Sequence, residues 1–280
     1  MKKRKAAKTV AGIFRILALA CYFIFMVAPI AWMLLTSLKP VNEIVTFPIR
    51  YLPEKWVFEN YVKLFSSTNF ALTFRNSAIV SVSVAVLTTF FAVLAGYAFS
   101  RFEFKAKRAC TVLLLVTQMV PIVIIIVPML IIFAKIRLID TLFGLILVFT
   151  VLNIPFCTLL IKGFFQRIPV ELEESSMLDG CSRLQGLMYI ILPIMRPGIA
   201  STMVFAFIGA WNDLFFGIMF INSEANRTIP VGINLFIGKY EIDWGGISAA
   251  TIIALIPVFI MFGLIQKHLV SGLTSGAVKG

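Results

Sequence analysis

The stretch Glu171-Leu-Glu-Glu174-Ser175-Ser176-Met-Leu-Asp179-Gly180, continued by Ile190-Ile-Leu192-Pro193, is a polar island between two long apolar runs. It holds four of the thirteen acidic residues of the chain. Glu171, Glu173 and Glu174 stand together near its start, where carboxylates complement the positive end of a helix dipole, and Pro169 suits an early helical position. Gly180 directly after Asp179 is a natural stop, so the spacing predicts a helix that ends there at positive φ, a rod of about 18 Å. Leu172, Ser175, Ser176 and Asp179 share one side through i, i+3 and i+4 spacing, and the small serines let a partner approach the backbone. A solvated amphipathic loop helix accounts for the acids but not for the spacing through Leu192-Pro193, so the segment reads as a contact surface.

The sequence around this island is apolar. Of 280 residues 60% are hydrophobic and 14% charged, with mean hydropathy +0.98. A soluble domain carries about 25% charge. Runs of about 20 apolar residues suffice to cross a bilayer. Six are predicted as helices, near 13–38, 74–99, 109–133, 142–163, 198–221 and 246–268. The fold class is therefore an all-α membrane protein with six transmembrane helices. Its domains are a basic tail over 1–12, a six-helix domain over 13–268 containing the loop 164–197, and a tail over 269–280. The first run, 16–38, is too long for the apolar core of a signal peptide and is taken as an uncleaved helix. Pro121, Pro128, Pro155 and Pro257 fall inside predicted helices, as packing kinks or along a translocation path.

The formal charge of +12 orients the chain rather than marking a nucleic-acid binder. Sixteen Lys and Arg fall in the termini and the segments on their side, against nine on the other. By the positive-inside rule both termini and loop 164–197 are cytoplasmic, in a bacterial or archaeal cytoplasmic membrane. Outside lie an aromatic, proline-containing segment, 39–73, suited to the interface, and a polar loop, 222–245.

Catalytic chemistry is not indicated. Gly272-Leu-Thr-Ser-Gly276-Ala-Val-Lys279-Gly280 lacks the spacing of a phosphate-binding loop. The one histidine, His268, has no serine partner, and the four cysteines lack paired or metal-ligand spacing. Asp213, in Trp211-Asn212-Asp213, lies inside an apolar run and should face protein or water, as a structural hydrogen bond or a pore residue. Gly209, Asp213 and Gly217, at i, i+4 and i+8, make one stripe, and glycines on it allow close helix approach.

Glu174-Ser-Ser-x3-Gly180-x9-Ile190-x-Leu192-Pro193 resembles the cytoplasmic coupling loop of ABC importer permeases, Glu-Ala-Ala-x3-Gly-x9-Ile-x-Leu-Pro, with Ser175 and Ser176 in place of the alanines. Thr36-Ser-Leu-Lys39, Arg75-Asn-Ser77, Gly96-Tyr-Ala-Phe-Ser-Arg101-Phe, Phe164-Phe-x-x-Ile-Pro169, Asp243-Trp-Gly245 and the Gly272–Gly280 tail extend the similarity to the smaller permease of maltose-type carbohydrate importers. The resemblance implies a type I importer transmembrane fold with a cytoplasmic coupling helix. It implies a second six-helix permease as heterodimer partner, two ATPase subunits that bind ATP and Mg, and an extracellular or periplasmic solute-binding protein that delivers a sugar. Cofactors in this chain are none. The implied ATPase-coupling residues are Glu171, Glu174, Ser175, Ser176, Asp179, Gly180, Leu192 and Pro193, with Thr274, Gly276 and Lys279 of the tail as a further ATPase contact. Trp211, Asn212 and Asp213 are pore or packing candidates, and Asn234, Leu235 and Phe236 candidates for the binding protein.

A secondary transporter would carry several mid-membrane carboxylates and repeat symmetry. A permease of the same type for a glycerol phosphoester, a polyol or a glycosylated small molecule is the nearer alternative. The orientation is open to test: cysteine labelling should reach positions 55 and 230 from outside and positions 105 and 185 from inside, and any reversal refutes it.

Overall fold

The structure is a computed structural model and describes residues 2–274, with side chains described from 12 to 266. It is almost wholly helical. In chain order the helices are α1 (Lys2–Ser37), α2 (Val41–Ile44), α3 (Glu59–Ser66), α4 (Phe70–Arg101), α5 (Lys107–Met119), α6 (Ile122–Lys135), α7 (Leu142–Phe165), α8 (Glu171–Leu178), α9 (Arg183–Gly186), α10 (Leu192–Ile194), α11 (Arg196–Trp211), α12 (Phe215–Phe220), α13 (Ile229–Asn234) and α14 (Trp244–Thr274). A π-turn, Leu187–Ile191, joins α9 to α10. Among the described residues extended backbone pairs only at an isolated bridge, Ile237 with Ile242.

Among the described residues, four helices are long and apolar enough to cross a membrane without interruption: α1 from Gly12, α4, α7, and α14 to Gln266. Two further spans exist only if each of two bent pairs is counted as one: α5 with α6, bent by 100°, and 183–194 with α11, bent by 77°. The helix expected over 109–133 is therefore broken. Pro121 has no N–H to continue the ladder and pushes Val120 to extended backbone, ψ 122°. Pro128, Pro155 and Pro257 remain inside helices. The helix expected over 198–221 is broken too, at 212–214, between α11 and α12.

The described residues form two compact units, 2–70 with 233–255 and 71–232 with 256–274. In the first, the end of α1 is closed by polar side chains. The Asn60 side-chain amide donates to the carbonyls of Ser37 and Lys39, both at 2.9 Å, bonding acceptors that the helix end leaves free. The buried Lys39 ammonium donates to the Arg50 carbonyl and lies 4.8 Å from the centre of the Trp32 ring. Gly245 packs so closely that a Cβ would stand 2.6 Å from Asn60 Oδ1. Residues 39–60 are thus anchored by buried polar contacts.

The second unit has an apolar core from Val80 and Val84 of α4, Ile126 and Phe133 of α6, Leu145 and Phe149 of α7, and Phe216 and Phe220 of α12. Small residues set the helix spacing. Gly198 of α11 lies under the Phe164 ring, and Phe156 stacks on Phe205 at 4.1 Å. At Gly96 of α4 a Cβ would stand 2.6 Å from Ile161 Cγ2 and 3.1 Å from the Lys162 backbone nitrogen. Gly163, by contrast, faces open space. Gly96→Val should lower stability by about 1–3 kcal/mol through overpacking. Gly163→Ala should be neutral or stabilising by up to about 1 kcal/mol. Thermal melts of the purified protein in detergent separate the two outcomes.

Candidate functional site

The loop after α7 builds a small, internally capped structure. Pro169 stays outside the helix: α8 begins after Val170, whose carbonyl accepts the N–H groups of Glu173 and Glu174 at 2.9 and 3.1 Å. The rod is consequently eight residues, about 12 Å, shorter than expected. At its end Gly180 takes φ +90°, the left-handed conformation expected of it. Its N–H bonds the Met177 carbonyl at 3.1 Å, and the Cys181 N–H bonds the Ser176 carbonyl at 3.0 Å, the pattern of a Schellman motif. The next helix opens with a capping box. Ser182 Oγ accepts the Gln185 N–H at 3.3 Å, and Gln185 Oε1 accepts the Ser182 N–H at 2.7 Å. The pattern Ser182-x-x-Gln185 is visible in the sequence and went unused there. Beyond it, the π-turn bonds the Leu192 N–H to the Leu187 carbonyl, leaving Leu192 half-buried and Pro193 exposed.

Ser175 and Ser176 do not share one face. Neighbouring residues on a helix point about 100° apart. Ser175 is exposed, whereas Ser176 is buried against Gly186, where a Cβ would stand 2.7 Å from Ser176 Oγ. Both hydroxyls donate back to helix carbonyls, of Glu171 and Glu173, at 2.7 Å. The outward face carries Glu171, Glu174, Ser175, Leu178, Asp179 and Gly180, with Leu178 88% exposed.

Glu173 points inward, and sequence reasoning missed it. Its Oε1 accepts Arg101 Nε at 2.5 Å and its Oε2 accepts the Tyr97 hydroxyl at 3.1 Å. Arg101 also donates to the Ile168 carbonyl at 2.9 Å. Phe165 packs on Tyr97 at 5.4 Å, and the Arg183 guanidinium lies 5.4 Å from the Phe102 ring centre. The signal lay in Tyr97 and Arg101, one turn apart at the end of an apolar run.

The remaining candidates are dispersed. Trp211 is buried, stacked on Phe207 at 5.3 Å and edge-on to Phe74 at 5.5 Å, a packing role. Asn212 is exposed at the helix break. Asp213 does not sit mid-helix: its Oδ1 accepts the N–H groups of Phe216 and Gly217 at 2.8 and 3.4 Å, at the start of α12. Gly209, Asp213 and Gly217 consequently form no common stripe; Gly209 faces Asn153 and Gly217 faces Val231 and Thr228. Asn234 ends α13, Leu235 is exposed, and Phe236 is half-buried near Gly246. Thr274 is the last residue of α14, and Gly276 and Lys279 lie outside the described residues.

Asp140 was also missed. In the turn between α6 and α7 it takes φ +61°. Its Oδ1 accepts the N–H groups of Asn222 and Ser223 and the Ser223 hydroxyl, at 3.0, 2.8 and 2.8 Å, and its carbonyl accepts the Asn226 amide at 2.7 Å. Burial opposes ionisation of this carboxyl, but the donors from Ser223 and Asn222 outweigh it and hold its pKa below the ordinary value. Its stabilising contribution is thus present above the unfolded-state pKa of about 3.9 and lost as pH falls through the lower folded value. At neutral pH Asp140→Ala should lower the amide protection factors at 222–226, and acidification of the wild type should lower them only below the ordinary carboxylate range. Unchanged exchange in the variant would refute the clasp.

The model of the family described as "Binding-protein-dependent transport system inner membrane component" matches residues 88–275. The chain is 36% identical to the sulfoquinovosyl glycerol transport system permease of Agrobacterium fabrum, over 90% of this chain and 88% of that one. It is 35% identical to a diacetylchitobiose uptake system permease of Streptomyces coelicolor, covering 92% and 94%. It is 34% identical to the trehalose/maltose transport system permease of Thermococcus litoralis, covering 95% and 94%. In fold it resembles a chain of a bacterial ABC transporter involved in the import of the polysaccharide alginate, with TM-score 0.79 at 20% identity, covering 93% and 97%.

Proposed function

The chain belongs to the family of binding-protein-dependent transport system inner membrane components, and from that premise we propose that it is the permease subunit of an ATP-driven sugar importer whose helix α8 docks into a separate ATPase. The observation that carries this reading is α8 itself. It is capped at its C-terminal end by Gly180, held on its inner side by Ser176 and Glu173, and free on its acidic outer face. A rod seated in a cleft passes on a displacement only if it neither frays nor turns, and these contacts prevent both.

In this reading Glu171, Glu174, Ser175, Asp179 and Gly180 meet the ATPase. Ser176, Leu192 and Pro193 shape the loop behind them. ATP and Mg are bound and used by the two ATPase subunits, and this chain is not itself catalytic. A second permease completes the translocation path, with each bent helix pair here serving as one of six spans and both termini in the cytoplasm. Thr274, Gly276 and Lys279 extend the ATPase contact, and Asn234, Leu235 and Phe236 face the solute-binding protein. A sugar or oligosaccharide is supported by the relatives named for trehalose/maltose and diacetylchitobiose. The relative named for sulfoquinovosyl glycerol widens the class to glycosylated glycerol.

Gly180→Pro and Ser175→Trp should leave membrane insertion intact and lower ATPase co-purification, or hydrolysis in proteoliposomes, at least tenfold. A Cβ at the left-handed Gly180 costs about 1–2 kcal/mol by itself, and a misdirected exit from the helix disrupts docking further. Wild-type stoichiometry and hydrolysis in both variants would overturn the assignment.

A further inference from the structure

α4 grips a separate element at each end. At its C-terminal end Arg101 and Tyr97 together hold both carboxylate oxygens of Glu173 in α8, and Arg101 also holds the Ile168 carbonyl on the way into α8. At its N-terminal end the Asn76 amide donates to the carbonyls of Ala225 and Arg227 at 2.8 and 3.0 Å, and Ser77 Oγ accepts the Ile229 N–H at 2.7 Å. The Asn76 and Ser77 side chains are buried. Between Asn76 and Arg101 the helix is uninterrupted and carries no proline, so the grips are about 37 Å apart at 1.5 Å per residue. That separation exceeds the roughly 30 Å hydrocarbon core of a bilayer.

We propose that α4 is a connecting rod that ties the docking helix α8 to the segment 225–229 at the opposite end of the second unit. The proposal rests on the docking reading of α8 and adds the route by which displacement of α8 travels. Between α7 and α8 the turn hydrogen bonds stop at Ile168, whose N–H reaches the Phe165 carbonyl, and Pro169 has no N–H to continue them, so the direct chain connection is interrupted there. The lateral grip on Glu173 and Ile168 turns a push on α8 into a movement of α4. The Arg101 and Glu173 side chains are only 7% and 12% exposed, whereas Arg50–Glu54, Lys63–Glu59 and Lys107–Glu103 each leave a partner well exposed. A buried ion pair is a poor source of net stability, because desolvation offsets its attraction, but it fixes geometry. Arg101 and Glu173 are positioning residues in this scheme. The grip on 225–229 matters because Asp140 holds the neighbouring residues 222, 223 and 226, so that a displaced α4 would move a clasped segment rather than one strand of loose chain.

The test uses the complete transporter in proteoliposomes, with a spin label at position 222 and ATP plus vanadate as the trigger. In the wild type the trigger should change the label's spectrum. Glu173→Gln and Asn76→Ala should each reduce that change at least fivefold while the ATPase still co-purifies. The double variant should reduce it no further, because both cuts sever one line. Arg101→Lys and Ser77→Ala repeat the two cuts with smaller structural change, should either first variant fail to assemble. Losses that multiply in the double variant, full responses in the singles, or no response in the wild type would each overturn the rod. The docking reading fails separately, if Ser175→Trp keeps wild-type ATPase co-purification.

Discussion

A backbone that enters hydrocarbon must bond its own N–H and C=O groups, since no water is there to do so. This requirement shapes the molecule more than any single contact. Apolar runs become helices because the helix bonds every interior amide within the segment. Helix ends then become the places where the chain needs side-chain help. Asn60 serves the end of α1, Asp213 the start of α12, and Gly180 and Ser182 the two ends of the turn between α8 and α9. Many of the polar side chains that the structure uses are therefore found bonding backbone, not each other.

The same requirement gives the breaks their meaning. Val120-Pro121 and residues 212–214 interrupt two apolar runs, bending the chain where an unbroken helix was expected. At the second break Asp213 turns inward to bond α12, and Trp211 packs on Phe207 and Phe74. An acid in a greasy sequence is thereby explained as a helix-start partner, with Asn212 the member of the trio left open.

The acid-rich loop divides its labour between two faces. Ser176 and Glu173 hold α8 to the rest of the chain, and Glu171, Glu174, Ser175 and Asp179 remain available. Adjacent serines that look equivalent on paper have different tasks because one residue step along a helix turns their directions apart by about 100°. Substituting serine for a still smaller residue changes little in shape here, since each hydroxyl folds back onto a carbonyl of its own helix or its start.

Composition and periodicity determined that the chain is helical, where its long apolar runs lie, and that an exposed acidic helix ends at Gly180. These follow from local rules: apolar length, the missing N–H of proline, the freedom of glycine at positive φ. Residue order also carried the family resemblance, through the spacing from Glu174 to Pro193. It did not determine which runs stay straight. Pro155 stays within a helix and Pro121 stands at a break, although each lacks the same N–H, so residue type alone does not decide whether a ladder continues. Nor did it reveal Arg101 with Glu173, Asn76 with 225 and 227, or Asp140 with 222, 223 and 226. Those partners are 72, about 150 and over 80 residues apart in sequence, and only tertiary folding brings a donor to its acceptor across such distances.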